Sequence, residues 1–177
     1  MAPFDTLIII GAGGHGRVIG DVAHRQWSAA EILFLDDSVV DPLPSVGAIV
    51  GHISSLADLL RAHDYGKISI VVAIGDNRLR QSMVRRISPL LDAAAASFAT
   101  LVDPTAFVSA GAIVGEGTVV MPQVAVNTGA NIGRHLILNT ACSVDHDCQL
   151  GDFVHISPGA HLAGGVTVGP FAHIGTG

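Results

Sequence analysis

From Val102 onward an aliphatic residue returns at every sixth position: Val102, Val108, Val114, Val120, Val126, Ile132, Leu138, Val144, Leu150, Ile156, Leu162, Val168 and Ile174. That spacing fits neither the 3.6-residue period of a helix nor the two-residue period of a strand. It is the period of a hexapeptide-repeat β-helix, with one inward aliphatic per short strand. The residue after each aliphatic is small or polar, Gly115, Gly133, Gly151, Gly169 and Gly175 among them, which lets the chain turn. Four positions after each aliphatic stands a second inward candidate, such as Ala106, Ala112, Thr118, Ala130, Cys142, Cys148, Ala160 or Ala172. Three hexapeptides close one triangular coil, so residues 101–177 hold about four coils.

Residues 1–100 follow another rule. "TLIII" reads as a buried strand, "GAGGHG" interrupts it, and "RVIGDVAHR" has a helical rhythm. "EILFLDD" is a second strand. Ser54 is placed to N-cap "SLADLLRAH", with Leu56, Leu59 and Leu60 on one face. "KISIVVAIGD" is a third strand and "NRLRQSMVRRISPLL" an amphipathic helix. Strands alternating with helices predict a parallel sheet, here a small Rossmann-like domain over 1–100. The expected fold is therefore α/β plus β-solenoid, with the boundary near residue 100.

Composition agrees with a repetitive core: 49% hydrophobic, only 5% aromatic, and 21 glycines. The net charge of −6 argues against a basic nucleic-acid-binding surface. No apolar run approaches the roughly 20 residues of a membrane span, and the N-terminus lacks a signal peptide's basic start and cleavage site. A cytoplasmic protein is expected, with no membrane or nucleic-acid partner. Cys142 and Cys148 fall at inward positions and read as small core residues rather than a disulfide framework.

Two stretches carry candidate chemistry. Gly11, Gly13 and Gly16 satisfy G-x-G-x-x-G between a strand and a helix, and Asp36 and Asp37 end the next strand. Glycines let a backbone approach a phosphate, the helix N-terminus offers amides, and an acid can take ribose hydroxyls. A single small sheet suits a nucleotide diphosphate such as a nucleotide-sugar better than a dinucleotide; a tight turn with no ligand is the plain alternative. His15 is placed either to meet that ligand or to cap the helix, and Gly75 and Asn77 end the third strand on the same edge. The second stretch is "SVDHDCQLGDFVHISPGAHLAGG", where His146, His155 and His161 interrupt an otherwise aliphatic pattern. A β-helix core needs none of these groups, so they belong on outward positions. His146 is flanked by Asp145 and Asp147, either of which can orient the imidazole; Asp147 reaches it only at a corner, because neighbours along a strand point to opposite faces. Gly164 lies one coil after His146 and stacks beside it. His155 and His173, also one coil apart, should stack about 5 Å apart.

"GAGGHGRV", "FLDD", "AIGDNRLR", "NTACSVDHDC" and "GDFVHISPGAHLAGGV" together closely resemble the PglD/NeuD-type sugar acyltransferases over nearly the whole chain. The resemblance implies a left-handed β-helix, a homotrimer, and acetyl-CoA as co-substrate without a metal. It implies N-acetylation of a UDP- or GDP-linked 4-amino sugar, with O-acetylation of a sialic-acid-like sugar as runner-up. By the same resemblance His146 is the general base and Asp147 its orienter. Asn139 lies near the sugar, and His155 near acetyl-CoA or the acceptor. The Gly164 amide faces the thioester carbonyl. Gly11, Gly13, Gly14, His15, Asp36 and Asp37 form the nucleotide-sugar pocket. Two other classes compete: a zinc carbonic anhydrase of the same solenoid fold, and a non-catalytic hexapeptide scaffold. The chain stops at "FAHIGTG" in mid-repeat, which leads to the expectation of a truncated form with an incomplete acetyl-CoA site.

Overall fold

The computed structural model describes residues 3–28, 30–38, 46–62 and 65–177. The chain divides into two compact units, one holding the residues up to Ile74 together with Ser82–Ala99, the other Gly75–Gln81 together with Thr100–Gly177. Among the described residues no helix is long and apolar enough to cross a membrane.

In the first unit the apolar runs become parallel strands β1 (Thr6–Ile10), β2 (Glu31–Leu35), β3 (Ala48–Gly51), β4 (Ile68–Val72) and β5 (Ser97–Phe98), in the order β3-β2-β1-β4-β5. Every residue of β1 and β4 is buried, which explains their mostly aliphatic runs; the two polar exceptions, Thr6 and Ser69, spend their hydroxyls on the Tyr65 carbonyl and on Ser97. Helix α1 (Gly14–Gln26) turns Ile19, Val22 and Ala23 inward. The strand order reverses between β1 and β4, so the glycine loop after β1 opens at the topological switch point, where open α/β sheets bind ligands.

Two features depart from the sequence reading. The sheet has five strands rather than three. β3 alternates exposed and half-buried positions, and β5 is two residues long, so neither carries a strong apolar run. Ser54 is not an N-cap: residues Ile53–Ser55 form a 3-10 turn, α2 (Leu56–Arg61) follows, and the Ser55 hydroxyl donates backward to the His52 carbonyl at 2.6 Å.

The second unit is the left-handed β-helix that the hexapeptide period predicts. Over the fully described residues 101–174 thirteen two-residue strands follow one another, from β6 (Leu101–Val102) to β18 (His173–Ile174). They stack in three parallel sheets, with partners eighteen residues apart, as in Ile137↔His155 and Ser143↔His161. Val120, Val126, Leu138, Val144 and Ile156 are fully enclosed, each worth roughly 1.5–3 kcal/mol of burial. Cys142 and Cys148 lie inside with them as free thiols, and burial pushes the Cys142 thiol up to about 12. Turns complete the period. Gly117, Gln123, Gly129, His135, Ala141, Asp147, Phe153, Gly159, Gly165, Phe171 and Gly177 all have φ between +56° and +73°. Each of these corners, the last excepted, lies three residues before an inward aliphatic.

The remaining helix, α3 (Asn77–Ala94), begins in the second unit. Asp76 caps it, its Oδ1 accepting from the amides of Arg78 and Leu79 at 2.9 and 2.8 Å. Its first turn lies along one corner column of the solenoid. There His135, Phe153 and Phe171 stack at 5.2 and 5.5 Å, and Arg78 covers the last ring at 4.3 Å.

Candidate functional site

His146 stands on the corner between β13 (Ser143–Val144) and β14 (Gln149–Leu150). The inward positions on either side, Val144 and Cys148, anchor the backbone, and the imidazole is left in solvent. Asp147 occupies the left-handed position of that corner, with φ +61°. This backbone bend brings two sequence neighbours onto one side: His146 Nδ1 lies 2.9 Å from Asp147 Oδ2. A carboxylate only accepts, so Nδ1 carries the hydrogen and Nε2 keeps its lone pair. Asp145 supports the corner from the other side. Its Oδ1 accepts from the His146 amide at 2.7 Å and from Asn127 Nδ2, one coil earlier, at 2.8 Å. The hydrogen bond to Asp147, then the charges of Asp145 and Asp147, raise the His146 pKa above its ordinary 6.5. The bonds from Asn127 and the His146 amide lower the Asp145 pKa.

One coil later Gly164 faces the imidazole. A Cβ there would meet Nε2 at 2.5 Å and Cε1 at 2.6 Å, so only glycine leaves the ring in place. The next residue's amide, at Gly165, donates to the His146 carbonyl at 2.8 Å and holds the two coils in register.

A second group gathers around β15 (His155–Ile156). His155 and His173 stack with ring centroids 4.5 Å apart and planes 6° from parallel. Asn139 Oδ1 accepts from the Thr140 amide at 2.8 Å, which turns Nδ2 toward His155 Nε2 at 3.2 Å. His155 therefore accepts at Nε2 and carries its hydrogen at the buried Nδ1. Burial first, then His173 and Arg80, lower its pKa to about 4. His173 Nε2 lies 2.8 Å from the Ser157 hydroxyl. Gly75, Asp76, Asn77, Arg78, His155, Phe171 and His173 line a cavity of about 420 Å³.

The glycine loop forms a third group, within the first unit. Gly11 has φ +105°, and a Cβ on Gly16 would run into the Gly11 carbonyl oxygen. A Cβ on Gly13 or Gly14 would meet nothing within 4 Å. The outer two glycines of the motif thus serve the turn and its packing, while the inner pair leaves open space at the start of α1. His15 lies in the first turn of α1. Asp36 holds the loop: Oδ2 accepts from the Ala12 amide at 2.7 Å, and Oδ1 from the Ser38 amide and hydroxyl at 2.8 and 2.9 Å. Asp37 accepts from the Ile53 amide at 2.9 Å and lies 3.7 Å from His52.

The fold brings together His146, Asp147 and Gly164; Asn139, His155, Gly75 and Asn77; and the glycine loop with Asp36. His161 stands apart on its own sheet, 2.8 Å from Ser143. Among the described residues no three His, Cys, Asp or Glu side chains are grouped to hold a metal ion. Sequence reasoning did not single out Asn127, Arg80 or the Ser157–His173 pair. Asn127 and Ser157 stand one coil from Asp145 and Asn139, and that spacing is the signal that finds them.

Residues 6–87 match the model of the PglD N-terminal domain. The acetyltransferase domain of PglB from Neisseria gonorrhoeae, solved also with acetyl coenzyme A, is 39% identical with a TM-score of 0.85, covering 98% of this chain and 80% of that one. A histidine-to-asparagine mutant of perosamine N-acetyltransferase from Caulobacter crescentus, in complex with CoA and GDP-perosamine, is 35% identical with a TM-score of 0.83, covering 95% of this chain and 76% of that one. UDP-N-acetylbacillosamine N-acetyltransferase of Bacillus subtilis (strain 168) is 35% identical over 113 residues. That match takes in 64% of this chain and spans half the length of the curated relative. With the glycine loop on a parallel sheet and the histidine corner on a hexapeptide β-helix, the chain belongs to the PglD-type sugar acetyltransferase family.

Proposed function

We propose that this chain is an acetyl-CoA-dependent N-acetyltransferase acting on the amino group of a UDP- or GDP-linked 4-amino sugar. The observation that carries the reading is the exposed His146 corner, with Nδ1 held by Asp147 and Nε2 lying against Gly164. The relatives' own substrates and ligands, acetyl coenzyme A and nucleotide-linked amino sugars, support it.

The amine attacks only as a free base: its lone pair forms the C–N bond, it sheds a proton, and collapse of the tetrahedral adduct breaks the C–S bond, CoA leaving as a thiolate that takes up a proton to become the thiol. His146 Nε2 accepts that proton, and Asp147 steadies the resulting imidazolium. A positioned base of this kind supplies about 10²- to 10⁴-fold in rate. With no side chain at Gly164 the His146 ring lies close against the backbone of the next coil, and the thioester arm of acetyl-CoA runs past the ring's exposed side. The Gly165 amide is already engaged with His146, so the Gly164 amide is the one to meet the charge building on the thioester oxygen. Asn139 holds the sugar and His155 lines the acetyl-CoA side. Gly75 and Asn77 extend the substrate wall. Gly11, Gly13, Gly14 and His15 receive the nucleotide diphosphate, with Asp36 fixing the loop and Asp37 at its edge. The working form is a cytoplasmic homotrimer serving glycan synthesis.

The test is CoA release from acetyl-CoA with the amino sugar, lost in His146→Ala while nucleotide-sugar binding is kept. Release with a hydroxyl acceptor but no amino acceptor would move the assignment to O-acetylation.

A further inference from the structure

Arg80 is buried, at 2% exposure, in the first turn of α3. Its Nε donates to the His135 carbonyl at 2.8 Å, and one terminal nitrogen donates to the Phe153 carbonyl at 3.0 Å and to Asn77 Oδ1 at 2.8 Å. The other terminal nitrogen donates to the Gly75 carbonyl at 3.2 Å. Asn77 continues the ladder, its Nδ2 donating to the Phe171 and Ala172 carbonyls at 3.0 and 3.1 Å. His135, Phe153 and Phe171 are the left-handed corners of three successive coils. A buried planar cation with a rigid fork of donors is suited to such a set of fixed carbonyls.

The far side of this clamp faces the cavity. Gly75, Asp76, Asn77 and Arg78 form one wall and His155 stands in the other. His155 Nδ1 is buried without a full hydrogen bond, and the Gly75 backbone is its weak polar neighbour.

We propose that Arg80 is a positioning residue: by hooking the carbonyls of two coils and of Gly75, it fixes the Gly75–Arg78 wall against His155 and so fixes the orientation and proton of that imidazole. The groups facing His155 are consistent with this. His173 on β18 and Arg80 both disfavour a second proton, Asn139 Nδ2 occupies Nε2, and the weak Gly75 interaction alone favours the cation. Asp76 and Arg78 sit on the same wall, with Asp76 turned to the helix amides. A neutral His155 offers the acyl donor an apolar edge rather than a charge.

The kinetic part rests on the acetyltransferase reading; the titration does not. The imidazole Cε1–H resonances of the whole chain are followed from pH 3 to 9 in the wild type, Arg80→Gln and Arg80→Lys. The His155 midpoint, about 4 in the wild type, should rise by about one unit in each variant as the wall loosens, while that of His146 stays put. In the same proteins KM for acetyl-CoA should rise about tenfold with kcat changed far less. Should Arg80→Gln lose its dispersed spectrum, Arg80→Lys decides, since it keeps a charge but not the fork. An unmoved His155 midpoint in the folded variants, or an equal shift of His146, overturns the proposal. Wild-type protein inert on every acceptor would overturn the acetyltransferase reading and leave the titration to judge Arg80.

Discussion

Replacing Asp147 by Asn separates two things this carboxylate does for His146. It sits 2.9 Å from Nδ1 and is the first cause of the raised imidazole pKa, with the charges of Asp145 and Asp147 adding to it. A general base works as the neutral form, so the wild-type acid limb of kcat/KM should have its midpoint above 6.5, the ordinary value. In Asp147→Asn a neutral amide replaces the charged acceptor, so the bond to the cation weakens, one negative charge is lost, and the midpoint should fall toward 6.5. On the alkaline plateau both enzymes carry neutral His146, and the variant should still be roughly ten- to a hundredfold slower. The Asn amide can accept from Nδ1–H or donate to a bare Nδ1, so the two tautomers compete, the proton-accepting Nε2 is no longer assured, and the nascent imidazolium loses its counter-charge. The rate deficit should therefore be largest at high pH and shrink as pH falls, by about tenfold for each unit by which the midpoint drops. Both proteins are assayed for CoA release across pH 5.5–9.5, with Asp145→Asn as a milder comparison. An unchanged or raised midpoint in Asp147→Asn would refute the assignment of Asp147 to His146.

Gly164→Ala should fold normally and lose at least about tenfold in kcat, because the new methyl displaces the His146 ring; a wild-type rate would separate Gly164 from the base. Gly16→Ala should lower the unfolding free energy by about 2–4 kcal/mol in urea titrations, since its Cβ has backbone in the way. Gly13→Ala should stay within about 1 kcal/mol of wild type while weakening nucleotide-sugar binding in calorimetry; the reverse order would contradict the loop geometry. His135 and His155 are both held neutral with pKa values lowered to about 4, chiefly by burial. Unfolding releases them to ordinary behaviour, so their contribution to stability is intact above pH 6.5 and is lost as pH falls toward 4. The loss should reach at most about 3 kcal/mol for the buried His135 and less for the partly exposed His155, and His135→Asn should flatten the profile.

The solenoid was legible because one inward aliphatic per short strand repeats without a gap, and neither packing nor partner alters that register. The stacking of Gly164 on His146 and of His155 on His173 followed from the same arithmetic. The corner that joins Asp147 to His146 was harder to place, since a non-glycine in the left-handed region leaves no local mark. Its position is readable only from the register it shares with Gly117, Gly129, Gly159, Gly165 and Gly177. β3 and β5 escaped because edge strands are short and half exposed. Arg80 escaped for a different reason: "NRLR" reads as the polar face of an amphipathic helix. What buries it is a column of carbonyls from residues 55 and 73 positions away, which no local pattern encodes. The role of Asp36 in holding Ala12 and Ser38 depends likewise on where two loops meet.

CoA release from acetyl-CoA across a panel of UDP- and GDP-linked 4-amino sugars, wild type beside His146→Ala, tests the central claim most directly. Turnover on one amino sugar, abolished in the variant while the nucleotide-sugar still binds, is the predicted result. Equal turnover in both proteins, or none on any amino sugar by wild-type protein that binds acetyl-CoA, would contradict it.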